Sequence, residues 1–160
     1  MNPFSIEFVK HEQPDIMVPQ EVSPQLGEQF DALHALYPYR YGGQPKIGYP
    51  SNQLILSKQR LCGMSVFRSS DGQHLIRGIW QPKPGIDVAL LTAHLPSPRD
   101  ERLWHRRNSM IQTIEYFSAR SAVANTLVIG DFNLSSNTAR YQRIFLSFHR
   151  FRSILAPDAV

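Results

Sequence analysis

Apolar runs no longer than a strand, broken by stretches of helical spacing, most constrain what this chain can fold into. The longest, 87–93 and 126–129, are far too short to cross a bilayer. Ile6 and Val9 open a short helical face that Gln13-Pro14 should end. Residues 15–18 read as a buried strand. Ser23-Pro24 combines an N-cap with proline at the first helical position. Leu26, Phe30, Leu33 and Tyr37 follow at helical spacing, and Pro38 stops them. Strands are expected over 53–56, 63–67, 75–80 and 88–93, with Asp71-Gly72 as a hairpin turn. A long helix is expected from about 100 to about 121, with Leu103, Met110, Ile111, Ile114 and Phe117 as its buried stripe. Arg102, Arg106, Gln112 and Glu115 should face away. Residues 126–129 read as one more buried strand, and Tyr141, Ile144, Phe145 and Phe148 suggest a closing helix. Helices on both sides of a strand set give a layered α/β or α+β sandwich.

The 160 residues suffice for one domain with a sizeable core. A hydrophobic fraction of 42% and a charged fraction of 19% exclude a disordered chain and a fibre. The start, Met1 to Lys10, lacks a basic end followed by an apolar stretch, so no signal peptide is read and a cytoplasmic location is expected. Cys62 is the single cysteine and gives neither an internal disulfide nor a metal-site spacing. The net charge of +4 is unevenly placed. Residues 1–98 hold 8 basic and 8 acidic side chains, whereas 99–160 hold 9 Arg, no Lys and 5 acidic residues. Guanidinium forks suit phosphate better than ammonium groups do. A phosphate-bearing partner is one reading of Arg99, Arg102, Arg106 and Arg107. The solvated face of the long helix is the other, and charge alone favours it.

Polar groups stand just past three of the buried strands, where layered α/β folds gather their active residues. Glu21 follows residues 16–20, His94 follows 89–93, and Asp131 and Asn133 follow 127–130. Carboxylates meeting at one edge would make a hard oxygen site suited to Mg²⁺. A nearby histidine would hydrogen-bond a phosphoryl oxygen or relay a proton. Each residue also has a plain structural reading. Glu21 precedes the Ser23-Pro24 cap, and His94 is a strand-end histidine. Asp131 and Asn133 are loop residues that bond their own backbone.

Four stretches together resemble the endonuclease/exonuclease/phosphatase superfamily, the DNase I-like hydrolases. Pro14-Asp15-Ile16-Met17-Val18-Pro19-Gln20-Glu21-Val22 is similar to its glutamate motif. Asn52-Gln53-Leu54-Ile55-Leu56-Ser57-Lys58 is similar to its mid-chain strand, which ends in Ser and a basic residue. Leu91-Thr92-Ala93-His94-Leu95-Pro96-Ser97 resembles its Thr-x-His-Leu strand end, and Gly130-Asp131-Phe132-Asn133 its Gly-Asp-Phe-Asn motif. Order and spacing agree over nearly all of residues 5–150.

The resemblance implies a four-layer sandwich, two mixed β-sheets face to face with helices outside. It implies hydrolysis of phosphate esters with Mg²⁺ or Mn²⁺. Glu21 would bind the metal, His94 would hydrogen-bond the scissile phosphate or support proton transfer, Asp131 would orient or activate water, and Asn133 would help hold the phosphate. The implied activity is nuclease-like phosphodiester cleavage. The alternatives are a phosphomonoesterase or phospholipase of the same superfamily, and a catalytically inactive truncated or degenerate member. The family pattern also has a first strand carrying Asn and a final Asp-His pair. Neither is matched: His149 is not preceded by Asp, and Asp158 is followed by Ala159. Residues 1–160 are therefore expected to form the central part of the domain, without its first strand and C-terminal third. Self-association through an open sheet edge is expected with it. Pro19 stands out because it removes an amide donor from a strand that the family buries.

Overall fold

A computed structural model describes residues 6–43 and 52–135, together with residue 139. The closing helix expected around Tyr141 to Phe148 lies outside the described residues. The chain is mixed α/β, with two sheets and three α-helices among those residues. In order these are α1 (Ile6–Glu12), β1 (Ile16–Met17), α2 (Pro24–Gln29), a 3₁₀ turn (Phe30–Leu33), β2 (Tyr39–Gly42), β3 (Leu54–Ser57), β4 (Leu61–Arg68), β5 (His74–Lys83), β6 (Ile86–His94), α3 (Glu101–Ala119) and β7 (Asn125–Asp131). No described helix is long and apolar enough to cross a membrane.

Local signals set most of these boundaries. The Ser23 side chain accepts from the Leu26 N–H, and Pro24 opens α2. Asp100 caps α3 in the same way, accepting from the Leu103 N–H at 2.7 Å. Gly72, at φ +82°, makes the turn between β4 and β5. The helical spacing after Ser23 does not give one helix. It passes from α-helix to 3₁₀ turn at Phe30, and Tyr37 then closes the segment, its hydroxyl donating to the Pro14 carbonyl at 2.8 Å. Burial, then the nearby Asp15 charge, raises the Tyr37 pKa.

The strand order is β1-β3-β2 in one sheet and β4-β5-β6-β7 in the other. Among the described strands the first sheet is wholly antiparallel, and the second is antiparallel except for the parallel pair β6–β7. The expectation of two mixed sheets is thus met by one of them. Sequence reading also missed β2. Its run Tyr39-Arg40-Tyr41-Gly42 has no aliphatic core residue, and it pairs only as an edge. Gly42 is needed there: it has φ +83°, and a Cβ would lie 2.6 Å from the Gln53 carbonyl oxygen.

Strand alternation distributes the core. Leu54 and Leu56 of β3 face Val9, Phe30 and Leu33 of the first helices. Ile55, between them in sequence, points the other way and meets Ile76 of β5 and Leu90 of β6 between the two sheets. Leu75 and Leu91, one residue from those, face Met110, Ile111 and Ile114 of α3. Each such side chain contributes roughly 1.5–3 kcal/mol by leaving water. The expected stripe on α3 therefore holds for Met110, Ile111 and Ile114.

The same helix corrects the reading of its arginines as one solvated face. Arg102 is exposed, but Arg107 is 8% exposed and reaches the loop after β7. Arg106 docks on the β4–β5 turn. It donates to the Asp71 carboxylate at 3.3 Å and to the Asp71 carbonyl at 3.1 Å.

Candidate active site

The parallel pairing of β6 with β7 is in register to the last residue, setting His94 opposite Asp131. Gly130 makes this closeness possible. A Cβ there would come within 2.0 Å of the Ala93 carbonyl oxygen, so no larger residue fits. Past the strand, the Asp131 carboxylate accepts from the Asn133 N–H at 2.9 Å. Asn133 takes φ +47°, which Asn tolerates better than most residues. Its amide donates to the Leu95 carbonyl at 2.7 Å, and its own carbonyl accepts from the buried Arg107 at 2.9 Å. The plain loop reading holds for Asp131, which bonds the backbone of its own loop, whereas the Asn133 side chain ties that loop to Leu95 at the end of β6.

Glu21 reaches the same place by a different device. The Leu54 N–H donates to the Pro19 carbonyl, whereas the Val22 N–H donates to the Asn52 carbonyl. Three residues on one side span two on the other, which is a one-residue bulge at Gln20-Glu21. Pro19 joins the ladder through its carbonyl, and its missing donor falls where the regular pairing ends. Glu21 sits at φ +53°, a left-handed conformation that costs an L-residue about 1–2 kcal/mol. The bulge turns its carboxylate toward His94, with Oε1 3.6 Å from Nε2. The Glu21 side chain is 76% exposed and that of His94 18%.

On the other edge of the ring, the Asn52 amide nitrogen lies 3.4 Å from His94 Nδ1. Nδ1 thus faces Asn52, and Nε2 faces Glu21. Beneath it Gln53 is 2% exposed. Oriented to satisfy both ends of its amide, its oxygen accepts from the His94 backbone N–H at 3.1 Å, and its nitrogen donates to the Thr92 carbonyl at 3.1 Å. Sequence reading did not single out Gln53 or Arg107 as supporting groups. The available signal for Gln53 was an amide at the head of an otherwise apolar, wholly buried strand, where it must find a partner.

Glu21, His94, Asp131 and Asn133 all line one open cleft of about 550 Å³. The end of the β4–β5 turn, the connection from β6 to α3 and α3 itself add Gln73, His74, Arg99 and Arg106 to its lining. Burial disfavours the Asp71 carboxylate, but hydrogen bonds from Ser69, Gln73 and Arg106 outweigh it and hold its pKa below the ordinary range. Burial, then the Arg68 charge, lowers the His74 pKa, favouring its neutral ring.

Among the described residues no three His, Cys, Asp or Glu side chains form a metal-binding group. They do not fit a closed protein cage. One exposed carboxylate beside an open cleft does fit Mg²⁺, which keeps several waters and takes ligands from substrate phosphates. Glu21 is the residue that would hold it.

No family model and no curated protein matches the chain in sequence. Solved structures do match. TDP2 from Caenorhabditis elegans is 26% identical with a TM-score of 0.63, over 81% of this chain and 40% of that one. Sphingomyelinase C from Streptomyces griseocarneus is 17% identical with a TM-score of 0.62, over 88% and 60%. An AP endonuclease from Archaeoglobus fulgidus is 16% identical with a TM-score of 0.58, over 84% and 52%. The chain thus spans 40 to 60% of the length of these proteins.

Proposed function

We propose that this chain, whose structure matches members of the endonuclease/exonuclease/phosphatase (DNase I-like) superfamily, carries a divalent-metal-dependent phosphoesterase site for phosphodiesters, nuclease-like in its substrate. In this reading the chain is one four-layer domain, with α1 and α2 outside one sheet and α3 outside the other. The observation that carries it is the convergence of Glu21, His94, Asp131 and Asn133 on one cleft from positions up to 112 residues apart.

Glu21 holds the cation, which when bound neutralises phosphate charge. His94 donates from Nε2, the ring nitrogen facing Glu21, to a non-bridging phosphate oxygen. Asn52 stands against the ring at Nδ1, and Gln53 holds the His94 backbone beneath it. Asp131 accepts a hydrogen bond from the attacking water and so aims it at phosphorus. Asn133 fixes the loop that positions Asp131, and its amide stands beside the phosphate.

The test is nicking of supercoiled plasmid by purified chain with and without Mg²⁺. Mg²⁺-dependent nicking is expected, reduced on the order of a hundred-fold or more in Asp131→Ala. Equal nicking by the two proteins would remove this site from the chemistry. Metal-dependent binding without nicking would assign the chain to the inactive members of the fold.

A further inference from the structure

The cleft is lined by charges of both signs, the Glu21 and Asp131 carboxylates and the Arg99 and Arg106 guanidiniums. The four arginines grouped by sequence now separate. Arg107 is buried against Asn133, Arg106 is neutralised by Asp71, and Arg102 is exposed without lining the cleft. Arg99 remains. It is exposed and lines the cleft, and among the described residues its side chain makes no ion pair or hydrogen bond.

We infer that Arg99 forms a second anion subsite of this cleft, which takes the phosphate next to the scissile one and makes the substrate an oligonucleotide strand. The inference rests on the phosphoesterase reading for the position of the scissile phosphate. Three features argue for it. The cleft is several times larger than one phosphate group. The Glu21 and Asp131 carboxylates repel an anion unless a cation is present, whereas Arg99 attracts one without it. A guanidinium offers a planar fork to phosphate oxygens. A choline headgroup is disfavoured at the same place, because its ammonium would meet Arg99 and carries no second phosphate.

Metal-free binding separates this claim from the activity. Fluorescein-labelled hexathymidylate is titrated with full-length chain in EDTA, and anisotropy is read between 50 and 200 mM salt. Arg99→Ala should weaken binding about ten-fold and lower the slope of log affinity against log salt by about one. Arg99→Lys should keep most of the salt slope, and Arg102→Ala should bind as the parent does. Thymidine 3′,5′-bisphosphate should displace the strand better than thymidine monophosphate from the parent, and no better from Arg99→Ala. Unchanged binding in Arg99→Ala, or an equal loss in Arg102→Ala, would overturn the subsite. So would displacement by phosphocholine at the concentration that suffices for the bisphosphate. If plasmid nicking fails while these results hold, the phosphoesterase reading falls and the anion subsite stands.

Discussion

Two parts of the cleft lining hold their functional groups by opposite means. The Asp131–Asn133 loop is tied down at every step: by Asp131 to the Asn133 N–H, by the Asn133 amide to Leu95, and by Arg107 to the Asn133 carbonyl. Glu21 is exposed, carried on a bulge with a left-handed backbone, and meets His94 at 3.6 Å. One side is organised before any ligand arrives. The other keeps backbone strain and a solvated carboxylate, which suits a residue that must exchange water for a cation. Electrostatic catalysis needs the first kind of rigidity where charge develops. Strain of the second kind persists only where the surrounding structure over-determines it.

Substitutions can break this contrast. The largest effect is expected from Gly130→Ala. Its new methyl meets the Ala93 carbonyl, and urea unfolding should show a loss of about 3 kcal/mol or more. An unchanged midpoint would mean that β6 and β7 are less closely apposed than described. Asn133→Ala should cost about 2 kcal/mol by orphaning the Leu95 carbonyl and placing alanine in a left-handed conformation. Asn133→Gly keeps the conformation and should recover about half of that loss. Equal losses would show that the backbone conformation contributes nothing.

Glu21→Gly sharpens the contrast from the other side. It should raise stability by about 1 kcal/mol while abolishing metal-dependent activity, because the strain disappears with the ligand. A destabilised Glu21→Gly protein would show that the side chain is held by contacts after all.

The smallest effect concerns the β4–β5 turn. Asp71 has a lowered pKa when folded, so its bonds stabilise above the unfolded value of about 3.9 and fade as pH falls through the folded value. The stability difference between the parent and Asp71→Asn should therefore be constant near neutrality and shrink below about pH 4. A difference independent of pH would mean that the turn docks on α3 without the charge.

Much of the molecule was legible residue by residue because the signals were local. Asp100 caps α3 through a neighbour three residues on, Asp71-Gly72 turns the chain between adjacent strands, and the alternation of Leu54, Ile55 and Leu56 already assigns two faces. The four candidate site residues were legible as polar groups after strands and by resemblance, though not as neighbours. β2 was hidden because its burial comes from its partner β3 rather than from an apolar run of its own.

The amino-acid sequence by itself determined the capped ends, the turn, the two-residue alternation, and the polar residues that end β6 and β7 and follow β1. The tertiary structure alone decided which arginine is buried, which is neutralised and which is left to the cleft. It also decided that a bulge aims Glu21 and that Gln53 supports His94. The physical reason is range. Caps and strand periodicity act over a few residues, whereas charge pairing, desolvation and close backbone approach depend on atoms that the polymer brings together only on folding.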